Sequence, residues 1–200
     1  MCMNNSMCGN ANNNNCTSLG PFIAVDAACI TTPAPRKGTM YPFSSGGVPV
    51  SLVSLASGLV STTSMVGFGS AISAISLAGT NIDLTAVTGT EAFSVPLDGS
   101  ITAISASLSA TATATVTGTA QVRAQIYRAV AGTNVFNPTP AFVNLTPLTT
   151  IAIGTITSGT ANVAPVPVAA GDRLLMVFSV TTSGFATTIL GNASAGINVE

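Results

Sequence analysis

A turn pair followed by an unbroken apolar run limits the possible folds of this chain more than any other stretch. The run covers residues 171–180, Gly-Asp-Arg-Leu-Leu-Met-Val-Phe-Ser-Val. It is short and rich in β-formers, which predicts a strand rather than a helix. Alternate residues of a strand point to opposite faces, and here both sets are largely apolar. A strand that is covered on both faces belongs in the middle of a sandwich or of an oligomer.

The clearest alternation of apolar and polar residues lies at residues 104–116. Ser or Thr occupies every odd position from Ser105 to Thr115, and apolar residues, mostly Ala, occupy the even positions. This period of two predicts a strand with one packed face and one hydroxyl-coated face, and the small packed side lets another layer approach closely. After Gly118, the run Ala120–Ala129 keeps the same period. The two runs could therefore form a hairpin.

From Thr39 to Glu200 short apolar runs alternate with Gly, Pro, Asn and Asp turns. The other candidate strands are Val50–Leu55, Leu59–Phe68, Ile75–Leu77, Ile82–Leu84, Ala92–Val95, Leu148–Ile156, Val163–Val168 and a last run through Ile197 and Val199. About eight to ten strands without a convincing helix is the count expected of a jelly-roll sandwich. The predicted fold class is therefore all-β, with an N-terminal tail at residues 1–38 and a β domain at residues 39–200.

Charged residues are rare in this chain. They make up 6% of the sequence, with a net charge of −1, whereas an ordinary domain is about 25% charged. So little charge removes the repulsion that keeps small proteins apart. We infer that much of the surface is buried against copies of the same chain; a monomer coated with Ser and Thr is the alternative. Nucleic acid is not an expected partner, because binding phosphates requires a patch of Lys and Arg.

Neither a signal peptide nor a membrane span is expected from this sequence. The N-terminus lacks a basic region followed by an apolar one. The long uncharged stretch between Lys37 and Asp83 is broken by Pro, Gly, Ser and Thr. No window reaches the ~20 predominantly apolar residues that a span needs, so no membrane partner is expected.

The N-terminal tail has three parts. Residues 1–18 are an Asn-rich tract, which cannot bury enough surface to fold alone. Residues 19–32 hold a small apolar segment that requires a partner, whereas residues 33–38, Pro-Ala-Pro-Arg-Lys-Gly, form a stiff polyproline-like spacer. The predicted inter-subunit docking residues are Leu19, Pro21, Phe22, Ile23, Val25 and Ile30.

All four cysteines, Cys2, Cys8, Cys16 and Cys29, lie in the tail. They contain no Cys-x-x-Cys pair, which disfavours a zinc site. Cysteines outside the β domain cannot crosslink it internally. They are better placed to form disulfides between neighbouring subunits, if the final compartment is oxidising. Free thiols in the tail are the alternative.

No residue pattern points to catalysis. The chain has no His, and its six acidic residues are scattered singly. It also lacks a Gly-x-Ser-x-Gly elbow and a phosphate-binding Gly loop. Asp98-Gly99 and Gly171-Asp172 are first of all turn signals. We therefore expect no catalytic residues, no metal and no cofactor.

A set of short motifs runs in order through the β domain. They are Gly58-Leu59-Val60, Val66-Gly67-Phe68-Gly69, Ile82-Asp83-Leu84-Thr85, Phe93-Ser94-Val95-Pro96, Asp98-Gly99-Ser100-Ile101-Thr102, Arg173-Leu174-Leu175-Met176-Val177-Phe178 and Ala193-Ser194-Ala195-Gly196-Ile197-Asn198. In these motifs the domain resembles the C-terminal domain of BclB-type, collagen-like glycoproteins of the Bacillus spore exosporium. The resemblance implies a tumour-necrosis-factor-like jelly roll that forms homotrimers, a structural role on the spore surface and no enzyme activity.

The tail departs from that family. A Gly-x-y stalk precedes the domain there, whereas in this sequence the tail reaches the domain through residues 33–38. Leu19-Gly20-Pro21 is weakly similar to the leader by which such proteins attach to the spore. A cysteine arm and a docking peptide on a trimer are similar in plan to Bacillus endospore appendage fibres, whose subunits couple through N-terminal arms.

These observations predict a structural subunit of a spore-surface fibre, located on the exosporium or a spore appendage and exposed after mother-cell lysis. Its main partner would be itself, as a homotrimer stacked head-to-tail by tail docking. A spore-surface anchor protein and a tip protein are further candidate partners. The alternative is a trimeric tip, adhesin or surface binding module that caps another fibre.

Overall fold

The computed structural model describes residues 38–56, 59–75, 80–85 and 91–200. This part of the chain forms twelve strands and no helix. The strands are β1 Thr39–Ser44, β2 Val50–Ser54, β3 Val60–Val66, β4 Ala71–Ile75, β5 Ile82–Asp83, β6 Phe93–Ser94, β7 Gly99–Ala110, β8 Ala120–Ala129, β9 Val135–Asn144, β10 Ile156–Val168, β11 Arg173–Thr182 and β12 Thr188–Val199. The all-β prediction is confirmed. The division at residue 38 stays a prediction, because residues 1–37 lie outside the described part.

The strands form two antiparallel layers. In the first sheet β10 pairs with β7, and β7 pairs with β12. On its other side β12 pairs with both β1 and β2. In the second sheet the order is β3, β11, β8, β9, with β4 beside β3, β6 beside β11 and β5 beside β9. Pairing of β2 with β3 joins the layers along one edge. The orders 1-12-7-10 and 3-11-8-9 are those of a jelly-roll sandwich, which confirms the predicted fold class.

β11 lies in the middle of the second sheet and is buried on both faces, as predicted. Its inward residues, which include Met176 and Phe178, join the main core between the two sheets. Its outward residues Leu175 and Val177 join a second core outside the sheet. The other buried members of that second core are Met65, Ile82, Leu84, Tyr127, Ala129 and Phe136. The chain itself therefore covers both faces of β11, and this burial does not require an oligomer.

The alternation in β7 and β8 is confirmed, but the proposed hairpin between them is wrong. Ile104, Leu108 and the alanines between and after them point into the main core, and β8 buries its even-numbered residues in the same way. However, β7 ends at Ala110, pairs with β10 and β12, and lies in the opposite layer from β8. Residues 111–119 are long enough to cross between the layers. They are held by hydrogen bonds to other segments, such as Thr111 N–H to the Leu190 carbonyl at 2.9 Å.

Two further differences concern β9 and the start of β10. The predicted strand Leu148–Ile156 is wrong, since its residues make only isolated bridges and β10 begins at Ile156. β9 was not expected because it contains Pro138 and Pro140. Among the described residues, β9 pairs on its outer side only with the two residues of β5, and its register with β8 shifts between Gln125 and Tyr127. Proline is tolerated at such an edge and bulge, because few ladder hydrogen bonds are lost there.

No helix in the described part of the chain is long and apolar enough to cross a membrane.

Candidate self-association surface

The outward side of the first sheet carries mainly small polar side chains. Directly paired residues on neighbouring strands share a face, so the register of β1, β12, β7 and β10 assembles this side row by row. We call it the hydroxyl face. Its rows are Met40–Asn198–Ala103–Asn162, Pro42–Gly196–Ser105–Thr160, Ser44–Ser194–Ser107–Ser158 and Asn192–Ser109–Ile156.

Hydroxyl groups on this face bond to one another across the strands. Ser105 Oγ lies 2.9 Å from Thr160 Oγ1, and Ser107 Oγ lies 2.9 Å from Ser194 Oγ. Such cross-strand pairs satisfy part of the hydrogen-bonding capacity within the sheet itself. A second protein surface can therefore approach this face with fewer polar groups left unpaired.

The first sheet carries no formal charge on its strands. Asp, Glu, Lys and Arg are absent from β1, β2, β7, β10 and β12, whereas the second sheet holds Arg123 and Arg128 on β8 and Arg173 on β11. Apolar side chains stand at opposite edges of the hydroxyl face: Met40 on β1 is 82% exposed, and Ile156 on β10 is 70% exposed. The face thus combines apolar edges with an uncharged centre that requires no desolvation of ions.

An aromatic cluster lies beside β1. The Tyr41 and Phe93 rings are 4.6 Å apart between centroids, Phe43 and Phe68 are 5.5 Å apart, and Phe68 and Phe93 are 6.0 Å apart. Phe68 is 58% exposed and lines, with Pro42, an apolar groove of about 310 Å³. This groove adds apolar surface next to the hydroxyl face.

The acidic residues of the described chain hold turns and ends of strands. Asp172 is almost fully buried; it accepts a hydrogen bond from Ala169 N–H at 2.9 Å and pairs with Arg128 Nε at 3.1 Å. This confirms the turn signal at Gly171-Asp172. Asp83 accepts hydrogen bonds from the hydroxyl and the backbone N–H of Thr85, which lower the pKa of its carboxyl. Within the described ranges no three potential ligands lie close enough to hold a metal ion.

The site residues predicted from the sequence lie outside the described residues. They are the docking residues Leu19, Pro21, Phe22, Ile23, Val25 and Ile30 and the cysteines Cys2, Cys8, Cys16 and Cys29. Their roles stay predictions. The hydroxyl face was foreseen only for β7, from the serines at alternate positions. The contribution of β1, β10 and β12 depends on the register between strands, and no single run of sequence predicts that register.

The comparisons with known proteins link this chain to collagen-like proteins. No family model matches the chain. It is 30% identical over 164 residues to Collagen-like protein 1 of Acanthamoeba polyphaga mimivirus, an alignment that covers 76% of this chain and 17% of that protein. The chain therefore spans less than a fifth of the length of this curated relative. It is related in sequence to one part of a collagen-like protein, whereas the BclB-type and appendage assignments stay predictions.

Among solved structures, the chain is similar to Eiger TNF from S. frugiperda. The two share 12% sequence identity with a TM-score of 0.38, and the alignment covers 82% of this chain and 94% of that chain. The assignment of the jelly roll rests on the strand order described above.

Proposed function

We propose that this chain is a structural subunit of a spore-surface fibre. Its jelly roll forms a homotrimer through the hydroxyl face, and its N-terminal tail docks into the neighbouring trimer. The subunit acts by self-assembly and catalyses no reaction. The observation that carries the proposal is the hydroxyl face, a whole sheet surface without a charged side chain on its strands.

The physical case for trimerisation is the small cost of burying this face. Surfaces that stay in solvent usually carry about 25–35% charged residues, and an interface that buries ions loses their hydration. The strands of the hydroxyl face carry no ions to desolvate, and the carboxylate of Glu200 lies beyond the end of β12, where Asn198 donates to it. Burial of Met40 and Ile156, both largely exposed in the single chain, contributes roughly 1.5–3 kcal/mol each.

The proposed coupling of trimers depends on the tail. A segment of ~14 residues such as residues 19–32 spans up to ~45 Å when extended, enough to reach a neighbouring trimer. Contact between a tail and a different surface of the next copy is heterologous, and such a contact produces a filament rather than a ring when its rotation does not close. Three tails per trimer act together, so weak single contacts add up to stable coupling.

The location on the spore and the fibre form are supported by the ordered motifs of the BclB-type resemblance. The similarity to part of a collagen-like protein supports a structural role. An anchor protein at the spore surface and a tip protein remain candidate partners of the assembled fibre.

Electron microscopy of the purified chain tests the proposal. We expect beaded filaments from the intact chain, and trimers without filaments after deletion of residues 1–32 or in the variant Phe22→Asp/Ile23→Asp. Phe185→Asp is the matched control, because Phe185 is 71% exposed on the β domain and lies outside the tail. Filaments of normal length from the truncated chain would exclude tail docking as the coupling.

The cysteines of the tail provide a separate test of subunit coupling. If they form disulfides between subunits, assembled material should give ladders on non-reducing gels that collapse with a reductant. Replacement of Cys2, Cys8, Cys16 and Cys29 by Ser should weaken the filament and leave the trimer intact. Identical mobility with and without reductant would favour free thiols.

A trimeric tip, adhesin or surface binding module is the second candidate function. It is favoured by a polar pocket on the second sheet, lined by Arg123 and amide side chains. In the same micrographs this function predicts discrete trimers, attached to other fibres but not joined into filaments.

A further inference from the structure

The outward side of the second sheet carries a pocket beyond the second core. Its volume is about 270 Å³, slightly below the range of about 300–1,000 Å³ of pockets for drug-sized ligands. Its walls come from β3, β8, β11 and the end of β9, and we call it the β8 pocket. It is lined by Val60, Thr63, Gln121, Arg123, Gln125, Tyr127, Asn144, Ser179 and Thr181.

Arg123 is the charged group of the β8 pocket. Its Nε donates to Asn144 Oδ1 at 2.9 Å, and its guanidinium lies 4.3 Å from the centre of the Phe142 ring. These contacts fix the plane of the guanidinium. Among the described residues Arg128 has a carboxylate partner in Asp172, whereas no carboxylate pairs with Arg123. Its two terminal NH₂ groups therefore remain available to an anion.

The two glutamines of the pocket are fixed by the backbone. Gln125 Nε2 donates to the Thr139 carbonyl at 2.7 Å, and Gln121 Nε2 donates to the Leu145 carbonyl. Each amide therefore keeps its oxygen as an acceptor at the pocket wall. The pocket thus presents acceptors that are held in place.

Tyr127 and the small hydroxyl residues complete the lining. The phenol of Tyr127 is protonated near neutral pH and can donate, and burial raises its pKa further above the usual value. Ser179 and Thr181 add hydroxyls that donate or accept, and Val60 adds an apolar side. Mixed donors and acceptors around a small apolar area match a molecule that itself carries several hydroxyls.

We propose that the β8 pocket binds a hydroxylated carboxylate of the size of one sugar ring, a uronic acid residue. The planar guanidinium of Arg123 would pair with the carboxylate through two parallel hydrogen bonds. The amides and hydroxyls would contact the ring hydroxyls. The pocket lies within one copy of the chain, so this proposal goes beyond the fibre proposal and does not depend on it.

Saturation-transfer difference NMR on the intact chain tests this proposal, with three probes: the methyl glycoside of galacturonate with its carboxylate free, methyl galactoside, and acetate. We expect saturable binding of the galacturonate, with both other probes at least ~10-fold weaker, because each lacks one of the two groups of contacts. Equal binding of acetate would overturn the sugar assignment, and equal binding of the galactoside would overturn the role of the carboxylate. No saturable binding of galacturonate would overturn the proposal as a whole.

Variants locate the binding. Arg123→Gln should weaken galacturonate binding at least ~10-fold, and Arg123→Lys should retain part of it. Arg173→Gln is the matched control on the same sheet, outside the pocket lining, and should bind as the parent does. Ser179→Phe should abolish binding by filling the pocket, which provides a test even if Arg123→Gln does not fold. Unchanged binding in folded Arg123→Gln or in Ser179→Phe would refute the assignment.

Discussion

The two sheets of this jelly roll differ in what lies on their outward sides. Part of the second sheet is covered by the same chain, since Ile82 and Phe136 pack with Leu175 and Val177 in the second core. The outward residues of the first sheet are mostly Ser, Thr and Asn, and they remain at least partly exposed. Both sheets contribute side chains to the main core, and the difference described here concerns their outer sides.

This difference separates the surface that the chain covers by itself from the surface that is suited to contact with another copy. Where the outward residues are large and apolar, the chain supplies its own cover from β4, β5, Leu84 and Ala92. Where they are small and hydroxylated, the cost of exposure is low and the cost of burial against another copy is also low. The first sheet is thus the side suited to reversible contact between subunits.

The largest expected effect is a difference in the free energy of unfolding between a variant of the main core and a variant of the second core. Phe178→Ala should lower the free energy of unfolding by about 3–5 kcal/mol, because it leaves a large cavity between the sheets. Phe136→Ala should cost about 3 kcal/mol or less, since the smaller second core can collapse around the gap. Urea unfolding of the isolated β domain measures both. Equal losses would show that the second core is as important to stability as the main core.

The next effect tests the hydroxyl face directly. Ser194→Asp adds a carboxylate to the centre of the face, and burial of an unpaired charge costs about 3–5 kcal/mol. We expect trimers to dissociate into folded monomers in analytical ultracentrifugation. Ser94→Asp is the matched control, because Ser94 is an exposed residue on β6 of the second sheet. Trimers that persist in Ser194→Asp would place the interface elsewhere.

A smaller effect concerns the ion pair of the second sheet. Arg128→Gln removes the partner of the buried Asp172 carboxylate. The loss should be about 1–2 kcal/mol, below the full value for a buried pair because Arg128 is itself 32% exposed. Arg173→Gln should change stability less, since the hydrogen bond of Arg173 to Asn134 is exposed to solvent. Thermal unfolding of the two variants at one pH measures the difference.

The smallest effect depends on pH and on Tyr127. Burial raises the pKa of this phenol above its usual value of about 10, so the folded chain holds the proton more tightly than the unfolded chain. Its contribution is therefore fully present below the unfolded pKa and is lost as the pH rises through the folded pKa. The parent should lose stability above about pH 10 more steeply than Tyr127→Phe. Parallel curves for the two proteins would exclude this cause.

The sequence predicted those strands whose two sides face different surroundings. In β7 and β8 the period of two identified the buried residues, because one side of each strand packs into the core. β11 was recognised because both of its sides are buried. β9 was missed, since Pro138 and Pro140 are acceptable only at the edge and bulge that they occupy.

The candidate surfaces were predictable only in part. The serines of β7 indicated a hydroxyl-coated side, but the pairing of Ser107 with Ser194 joins residues that are far apart in the chain. The β8 pocket has the same origin, because Arg123, Asn144 and Ser179 meet through the register of β8 with β9 and β11. Neither the pairing nor the pocket has a local signal.

By itself, the sequence determined the alternation along each strand, the scarcity of charge and the all-β class. These are local properties, set by side-chain type and by the two-residue period of a strand. The tertiary structure decided which strands became neighbours, that the two sides of β11 are covered within one chain, and where the hydroxyl face and the β8 pocket lie. These features depend on contacts between residues that are distant in the chain, and such contacts stabilise the chain only when both sheets are assembled.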